Sequence, residues 1–288
     1  MGPDRLNTGC ATQVVAGHMA AEAAYGDVSR MLGSRGIDCI VLKGPHLNAE
    51  YYSDSSRREY TDLDLLIRPD QFDNAVASLL DGRLTPTRGP EGRYVCGFNS
   101  PHGWPVELHK AFESYELFHV NYEALFERAE IFQFGTESAM GLASEDLLLH
   151  LIMHAAKSHF RQIGLKHVED IAVVVRCSIR WDVFVKRAQE FRCSSASWIF
   201  LSAAAAICAA DIPPDVLGQL QPSWLRRKWL GLWLSLKTYP LFKWQHLPVW
   251  IGRLVILPAI VDQLRDGLSG AFRFALVRAS DVVGRQRA

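Results

Sequence analysis

The sequence predicts an α+β protein, and three patterns carry that expectation. Leu63, Leu65 and Ile67 alternate with Asp62, Asp64 and Leu66, which is the period of a strand. Trp104-Pro105-Val106-Glu107-Leu108-His109 alternates in the same way. From Ser144 onward the apolar spacing turns helical, so the chain divides into residues 1–141, a sheet-bearing core with an N-terminal helix, and residues 142–288, a mostly α-helical half.

The elements follow in order. Residues 11–34 are expected to form a helix with Val14, Val15, Met19, Ala23 and Met31 along one side. Cys39-Ile40-Val41-Leu42 is an apolar run ended by Lys43-Gly44-Pro45, which reads as a buried strand entering a tight turn. Pro45 suits the first turn of a helix, expected over His46 to Tyr52. Ser53 to Arg58 is a polar connection to the strand at 62–67, and Pro69 to Leu80 is read as a helix. Arg83 to Gly103, rich in glycine, proline and charge, is expected to make a hairpin and a mobile loop near the candidate site. The sheet then spans about 38 to 110. Ser144 is expected to cap the next helix, with Glu145 and Asp146 favourable in its first turn.

Alternation places Asp62 and Asp64 on one strand face and turns Leu63, Leu65 and Ile67 into the core. Two carboxylates that close raise each other's pKa unless a cation lies between them. Hard ions such as Mg²⁺ take oxygen ligands and share them with substrate phosphates. A metal pair roughly 3.5–4 Å apart stabilises the attacking and leaving oxygens of an in-line phosphoryl displacement. Taken alone, the two acids read more readily as a strand end facing water, and it is the company the motif keeps that favours metal. Glu107 on a neighbouring strand would complete a three-acid metal site and could take a proton from an attacking hydroxyl. His109 shares its face and would orient that acid, touch substrate, or be a hydrogen-bonded bystander.

Upstream, free N–H groups at the helix start, Gly44 allowing close approach and the charge of Lys43 make an anion site. Arg57 and Arg58 read as a triphosphate clamp or as solvated loop residues. His150 and His154 stand at i and i+4, the spacing of a metal pair. They lack a Glu-x-x-His frame and a third ligand, which favours packed or substrate-facing imidazoles.

Leu42-Lys43-Gly44, Arg58 four residues before Asp62, Asp62-Leu63-Asp64-Leu65-Leu66-Ile67 and Val106-Glu107-Leu108-His109 resemble the DNA polymerase β-like nucleotidyltransferase superfamily. Within it the chain is most similar to the bacterial "uncharacterised nucleotidyltransferase" family, NTP_transf_5. The resemblance continues through Leu142-Ala143-Ser144-Glu145-Asp146-Leu147-Leu148-Leu149-His150, His154-Ala155-Ala156-Lys157 and Val168-Glu169-Asp170-Ile171-Ala172, and so covers about residues 15 to 180. It implies a small mixed sheet with flanking helices, a helical domain that completes the cleft, Mg²⁺ or Mn²⁺, and transfer of a nucleoside monophosphate from an NTP. It also implies ligand contact by Lys157 and Asp170, for which a surface lysine and a helix salt bridge are the ordinary alternatives. Many superfamily members follow the turn glycine with serine, whereas Pro45 follows Gly44 here, so phosphate binding leans on Lys43. Glu59 beside Arg58 would blunt it as a clamp. Family members occur among genes for modified peptides and surface polysaccharides, so the resemblance leaves the acceptor open.

Composition agrees. Nearly half of the 288 residues are apolar, 49%, enough for a sizeable core. The six cysteines (Cys10, Cys39, Cys96, Cys177, Cys193, Cys208) have no C-x-x-C spacing and sit largely in apolar runs, which suits reduced thiols in a cytoplasm. No signal peptide is read near Asp4 and Arg5. No run reaches the roughly 18–20 apolar residues of a membrane span, Trp198 to Ala210 being too short. From Pro222 to Ala288 there are eleven Lys/Arg against three Asp, an excess of eight, and five of the eight tryptophans: Trp224, Trp229, Trp233, Trp244 and Trp250. Such interleaving suits base stacking or a membrane interface. The favoured reading is a helical subdomain with core tryptophans, Trp229 and Trp233 being four apart. A formal net charge of zero argues against general affinity for long nucleic acid.

The residues together predict an Mg²⁺-dependent nucleotidyltransferase acting on a hydroxyl or phosphate of a small molecule or modified peptide. Asp62, Asp64 and Glu107 hold metal, while Lys43, Gly44 and Arg58 handle the triphosphate. Two rivals stand beside it: a metal-dependent glycosyltransferase gripping a sugar-nucleotide through D-x-D, and a non-catalytic binding protein on a transferase scaffold. The Lys-Gly turn eighteen residues before the acids opposes the first, and the intact acids oppose the second.

Overall fold

A computed structural model describes residues 8–88, 94–112, 117–158, 165–238, 260–263 and 267. The fold is α+β, and the chain divides into two compact units: 1–114 with 121–147, and 115–120 with 148–288.

The first unit is built on a mixed seven-stranded sheet. Its strands are β1 (Cys39–Val41), β2 (Leu63–Ile67), β3 (Thr85–Arg88), β4 (Val95–Asn99), β5 (Pro105–His109), β6 (Glu130–Phe134) and β7 (Glu137–Gly141), in the order β3-β4-β5-β2-β1-β7-β6. β2 runs antiparallel to β1 and parallel to β5, and β1 runs parallel to β7. Every residue of β2 is buried, which is what a central strand covered on both faces requires. Leu63, Leu65 and Ile67, with Val106 and Leu108 of β5, enter one apolar core as the alternation predicts. Each such side chain contributes roughly 1.5–3 kcal/mol on burial.

Helix α1 (Thr8–Gly33) covers that core with Ala21, Ala24, Tyr25, Val28 and Leu32. The expected face is not the buried one, because Val15 and Met19 are 47% and 64% exposed. The stripe that repeats every three or four residues from Val14 passes through His18, Ala21 and Tyr25 instead. Helix α2 is Gly44–Glu50 and α3 is Phe72–Asp81. Ser78 of α3 donates to the Met31 carbonyl of α1 (2.9 Å) and ties the two helices together.

The sheet extends past the expected end at about residue 110. β6 and β7 form a two-residue hairpin around Gly135, whose φ is 62°, and such tight hairpins favour glycine there. Phe132, Phe134 and Ala139 point into the core from this hairpin. β3 and β4 form the expected hairpin; its connecting residues 89–93, on which the loop expectation falls, lie outside the described residues.

Helix α4 (Tyr122–Glu127) is capped by Asn121, whose side chain accepts from Ala124 N at 3.2 Å. Helix α5 (Ser144–Ser158) begins one residue earlier than the predicted cap implies. Ala143 O accepts from Leu147 N, and the Ser144 hydroxyl shares a 3.1 Å hydrogen bond with Tyr51. Asp146 lies in the first turn as expected; it is buried and accepts from both Arg128 Nε (2.9 Å) and Nη2 (3.1 Å).

The second unit is helical: the rest of α5, then α6 (Leu165–Val175), α7 (Trp181–Glu190), α8 (Ser194–Cys208), α9 (Pro214–Leu220) and α10 (Trp224–Thr238). The Asp262 carboxylate caps α8, accepting from Ser194 N and Ser195 N at 2.8 Å each. Among the described residues no helix is long and apolar enough to cross a membrane. Trp224 and Trp229 are 60% and 47% exposed, so neither is the core residue that a helical subdomain with buried tryptophans, argued from the Trp229–Trp233 spacing, led one to expect. Spacing alone fixes a shared face, not what covers it. Trp244 and Trp250 lie outside the described residues, as does the side chain of Trp233.

Candidate active site

The parallel register of β2 and β5 sets Asp64 opposite Glu107 and Leu66 opposite His109. Partners in a ladder share a face, so Asp64, Glu107 and His109 lie together on the side away from the Leu63–Leu65 core. Lys43 joins them from the turn after β1. Its φ of 50° and ψ of −115° are unusual for a side-chain-bearing residue. The backbone is held there because Leu42 N donates to Asp64 O (2.9 Å) and Leu47 N to Lys43 O (2.8 Å).

Asp64 is the hub. Lys43 Nζ donates to its Oδ2 at 2.6 Å, and His109 Nε2 donates to its Oδ1 at 2.9 Å. His109 Nε2 also stands 3.5 Å from Glu107 Oε2. Asp64, Glu107 and His109 can each offer a ligand atom with all three within 4.8 Å of one another; among the described residues no other His, Cys, Asp or Glu group gathers this way. Asp62 precedes β2 and is half-buried.

The electrostatics separate the two aspartates. Burial alone would raise the Asp64 carboxyl, but the charges of His109 and Lys43 and their hydrogen bonds outweigh it and hold it far below the usual range. The Asp62 carboxyl is raised, first by burial and then by the charge of Asp64, with Glu107 adding and Lys43 and His109 opposing. Burial likewise opposes charge on His109, yet Asp64 and the hydrogen bonds to Asp64 and Glu107 raise its pKa.

These residues fit a hard divalent cation. Two of the three gathered donors, Asp64 and Glu107, are carboxylates, and a cation between them would relieve their mutual repulsion. His109 acts on Asp64 and Glu107 directly, which suits an orienting role. The glycine at Gly44 has a reason that the sequence did not disclose: a Cβ there would lie 2.5 Å from Tyr60 Cβ.

Arg58 is buried at 9% exposure; Asn48 Nδ2 donates to its carbonyl at 2.9 Å, and its Nη1 donates to the Glu59 carbonyl. Asn48 carried no sequence signal, standing four residues along α2 from Gly44. Arg57 ends the short 3₁₀ turn Ser55–Arg57 and is exposed. Lys157 and Asp170 belong to the second unit, half-buried on α5 and buried on α6 respectively. His150 and His154 have ring centroids 6.3 Å apart, and His167 of α6 stacks 6.1 Å from His154, a third imidazole that sequence spacing could not supply.

A family model described as Uncharacterised nucleotidyltransferase matches residues 8–209. The chain belongs to this family. It is therefore a transferase of the nucleotidyltransferase class. No curated protein matches the sequence. Among solved structures it is similar to the antibiotic-resistance factor ANT(2'')-Ia, with 11% identity over 65% of this chain and 95% of that one (TM-score 0.41). An antigenic nucleotidyltransferase-like protein from Paracoccidioides brasiliensis is 16% identical over 70% of this chain and 92% of that one (TM-score 0.45). The lincosamide antibiotic adenylyltransferase LnuA is 9% identical over 53% and 94% (TM-score 0.36).

Proposed function

We propose that this member of the family transfers a nucleoside monophosphate from an NTP, with Mg²⁺ or Mn²⁺, to a hydroxyl or phosphate of a small molecule or modified peptide. The observation that carries the reading is Asp64 paired in register with Glu107 on adjacent parallel strands, with Lys43 and His109 bound to the same carboxylate. Asp62, Asp64 and Glu107 would hold the cation. Bound there, it would polarise the α-phosphate and neutralise charge on the departing oxygen.

The rest falls to the chain. The acceptor oxygen attacks the α-phosphorus, the bond to the bridging oxygen breaks, and pyrophosphate leaves with that electron pair. Glu107, part-exposed at 35% of its side chain, takes the acceptor's proton. His109 fixes the orientation of Asp64 and Glu107. Lys43, the start of α2 at Gly44, and Arg58 receive the triphosphate. The scattered cysteines, without C-x-x-C spacing, suit a cytoplasmic setting.

Incubating the purified chain with each NTP, candidate acceptors and Mg²⁺, and reading mass shifts and pyrophosphate, tests the proposal. Glu107→Gln should keep the fold and lower transfer by about 10²–10⁴-fold, the usual span for a lost general base. Near-wild-type turnover in that variant, or calorimetric binding of sugar-nucleotides but not NTPs, would overturn it.

A further inference from the structure

We propose that Lys43 is an exchangeable counter-ion: it neutralises Asp64 until a divalent cation arrives, then yields that carboxylate and turns to the triphosphate. The inference rests on the function proposed above and concerns how the same site loads.

Asp64 is 4% exposed, and a carboxylate so buried requires a compensating charge. It has two, and both of its oxygens are engaged, Oδ2 by Lys43 and Oδ1 by His109. A cation bound by Asp64 must approach oxygens that already face N–H donors, and two cations on one carboxylate repel. One donor has to move. His109 cannot, since it sits on β5 with its side chain 8% exposed and also faces Glu107. Lys43 can: its side chain is 20% exposed, and an ammonium on a four-carbon stem swings without backbone motion. Its backbone is held in place by the two hydrogen bonds at the β1–α2 turn, so the released head stays beside the first residues of α2. A triphosphate arriving there replaces the anion that Lys43 gives up. Metal and NTP thus assist each other's binding, and the cation alone binds against Lys43.

The test measures Mn²⁺ affinity by electron paramagnetic resonance, with and without a non-hydrolysable NTP analogue, for wild type, Lys43→Met, Lys43→Arg and Glu107→Gln. Without nucleotide, Lys43→Met should bind Mn²⁺ about tenfold more tightly than wild type. Its analogue affinity should fall by a similar factor, and the tightening of Mn²⁺ by analogue should shrink. Lys43→Arg keeps the charge and can grip Asp64 with a two-pronged bond, so it should bind Mn²⁺ more weakly than wild type. If Lys43→Met folds poorly, the Arg variant and the Mn²⁺-induced rise in wild-type melting temperature still decide the matter. Equal or weaker Mn²⁺ binding in Lys43→Met, or stronger binding in Lys43→Arg, shows Lys43 to be a permanent partner and overturns the exchange. If wild type binds no more Mn²⁺ than Glu107→Gln even with analogue, the metal reading itself fails and takes the exchange with it.

Discussion

Replacing Gly44 by alanine separates two reasons for a glycine at this turn. One is close approach of a phosphate, which predicts normal folding and weakened NTP binding. The other is Tyr60. An alanine Cβ would sit 2.5 Å from Tyr60 Cβ and 3.1 Å from its Cγ, whereas ordinary contact begins at 3.4 Å. No rotamer of tyrosine moves its own Cβ, and the ring is pinned by stacking on His18 at 4.5 Å with Trp104 at its edge. The backbone must therefore move by about 0.9 Å, the gap between 2.5 and 3.4 Å. Overpacking that side chains cannot relieve lies at the upper end of its usual range, about 3 kcal/mol. For a chain of this size that lowers the melting temperature by roughly 6–12 °C. Urea denaturation of Gly44→Ala alone and in two backgrounds is the assay. In Tyr60→Ala the offending Cβ remains, so the cost of Gly44→Ala persists; in Tyr60→Gly it drops below about 1 kcal/mol. A stable Gly44→Ala, or rescue by Tyr60→Ala equal to that by Tyr60→Gly, refutes the packing argument.

Two further outcomes follow from the packing and the helix caps. His46 is buried against Phe132, with ring centroids 4.7 Å apart, and burial pushes its pKa down to about 4 from 6.5. Between those values the unfolded imidazole binds a proton and the folded one does not, so stability rises with pH across the window and is lost as pH falls through it. The difference is about 3 kcal/mol. Denaturation at pH 4.5 and 7.5 should show it in wild type and show a flatter dependence in His46→Leu; identical slopes would dismiss it. Asp262→Ala removes the carboxylate that accepts from Ser194 N and Ser195 N. It should destabilise the helical unit by about 1–2 kcal/mol, read as earlier amide exchange in α8, and unchanged protection there would deny the cap any role.

Much of the sheet centre was legible because period-two alternation over Leu63–Ile67 and Val106–His109 picks out the side chains that enter one core: Leu63, Leu65, Ile67, Val106 and Leu108. β6 and β7 were not. Glu130–Phe134 and Glu137–Gly141 are short strands rich in polar residues, and they join the sheet because β7 pairs with β1 and β6 with β7. The face of α1 was misread because large apolar residues were followed, while close helix packing selects Ala21 and Ala24. Ser144 looked like a cap by residue type, yet Tyr51, far away in sequence, claims its hydroxyl. At the candidate site, Lys43, Asp62, Asp64, Glu107 and His109 could be singled out as candidates from spacing, and of these Lys43, Asp64, Glu107 and His109 stand together. Which partner each would choose could not, because the Lys43–Asp64 bond and the Gly44–Tyr60 contact depend on how the turn after β1 packs in three dimensions.

The three residues of β1 hold the sheet's halves together, with β2 on one side and β7 on the other. Its partner Gly141 follows Val41 by a hundred positions. On a ribosome, β1 and β2 emerge long before that partner is made, leaving Ile40 and Val41 on a bare apolar edge open to mispairing. Synthesis of this enzyme therefore passes through an interval in which that edge is bare, and truncation before residue 137 should give aggregates rather than a smaller working domain.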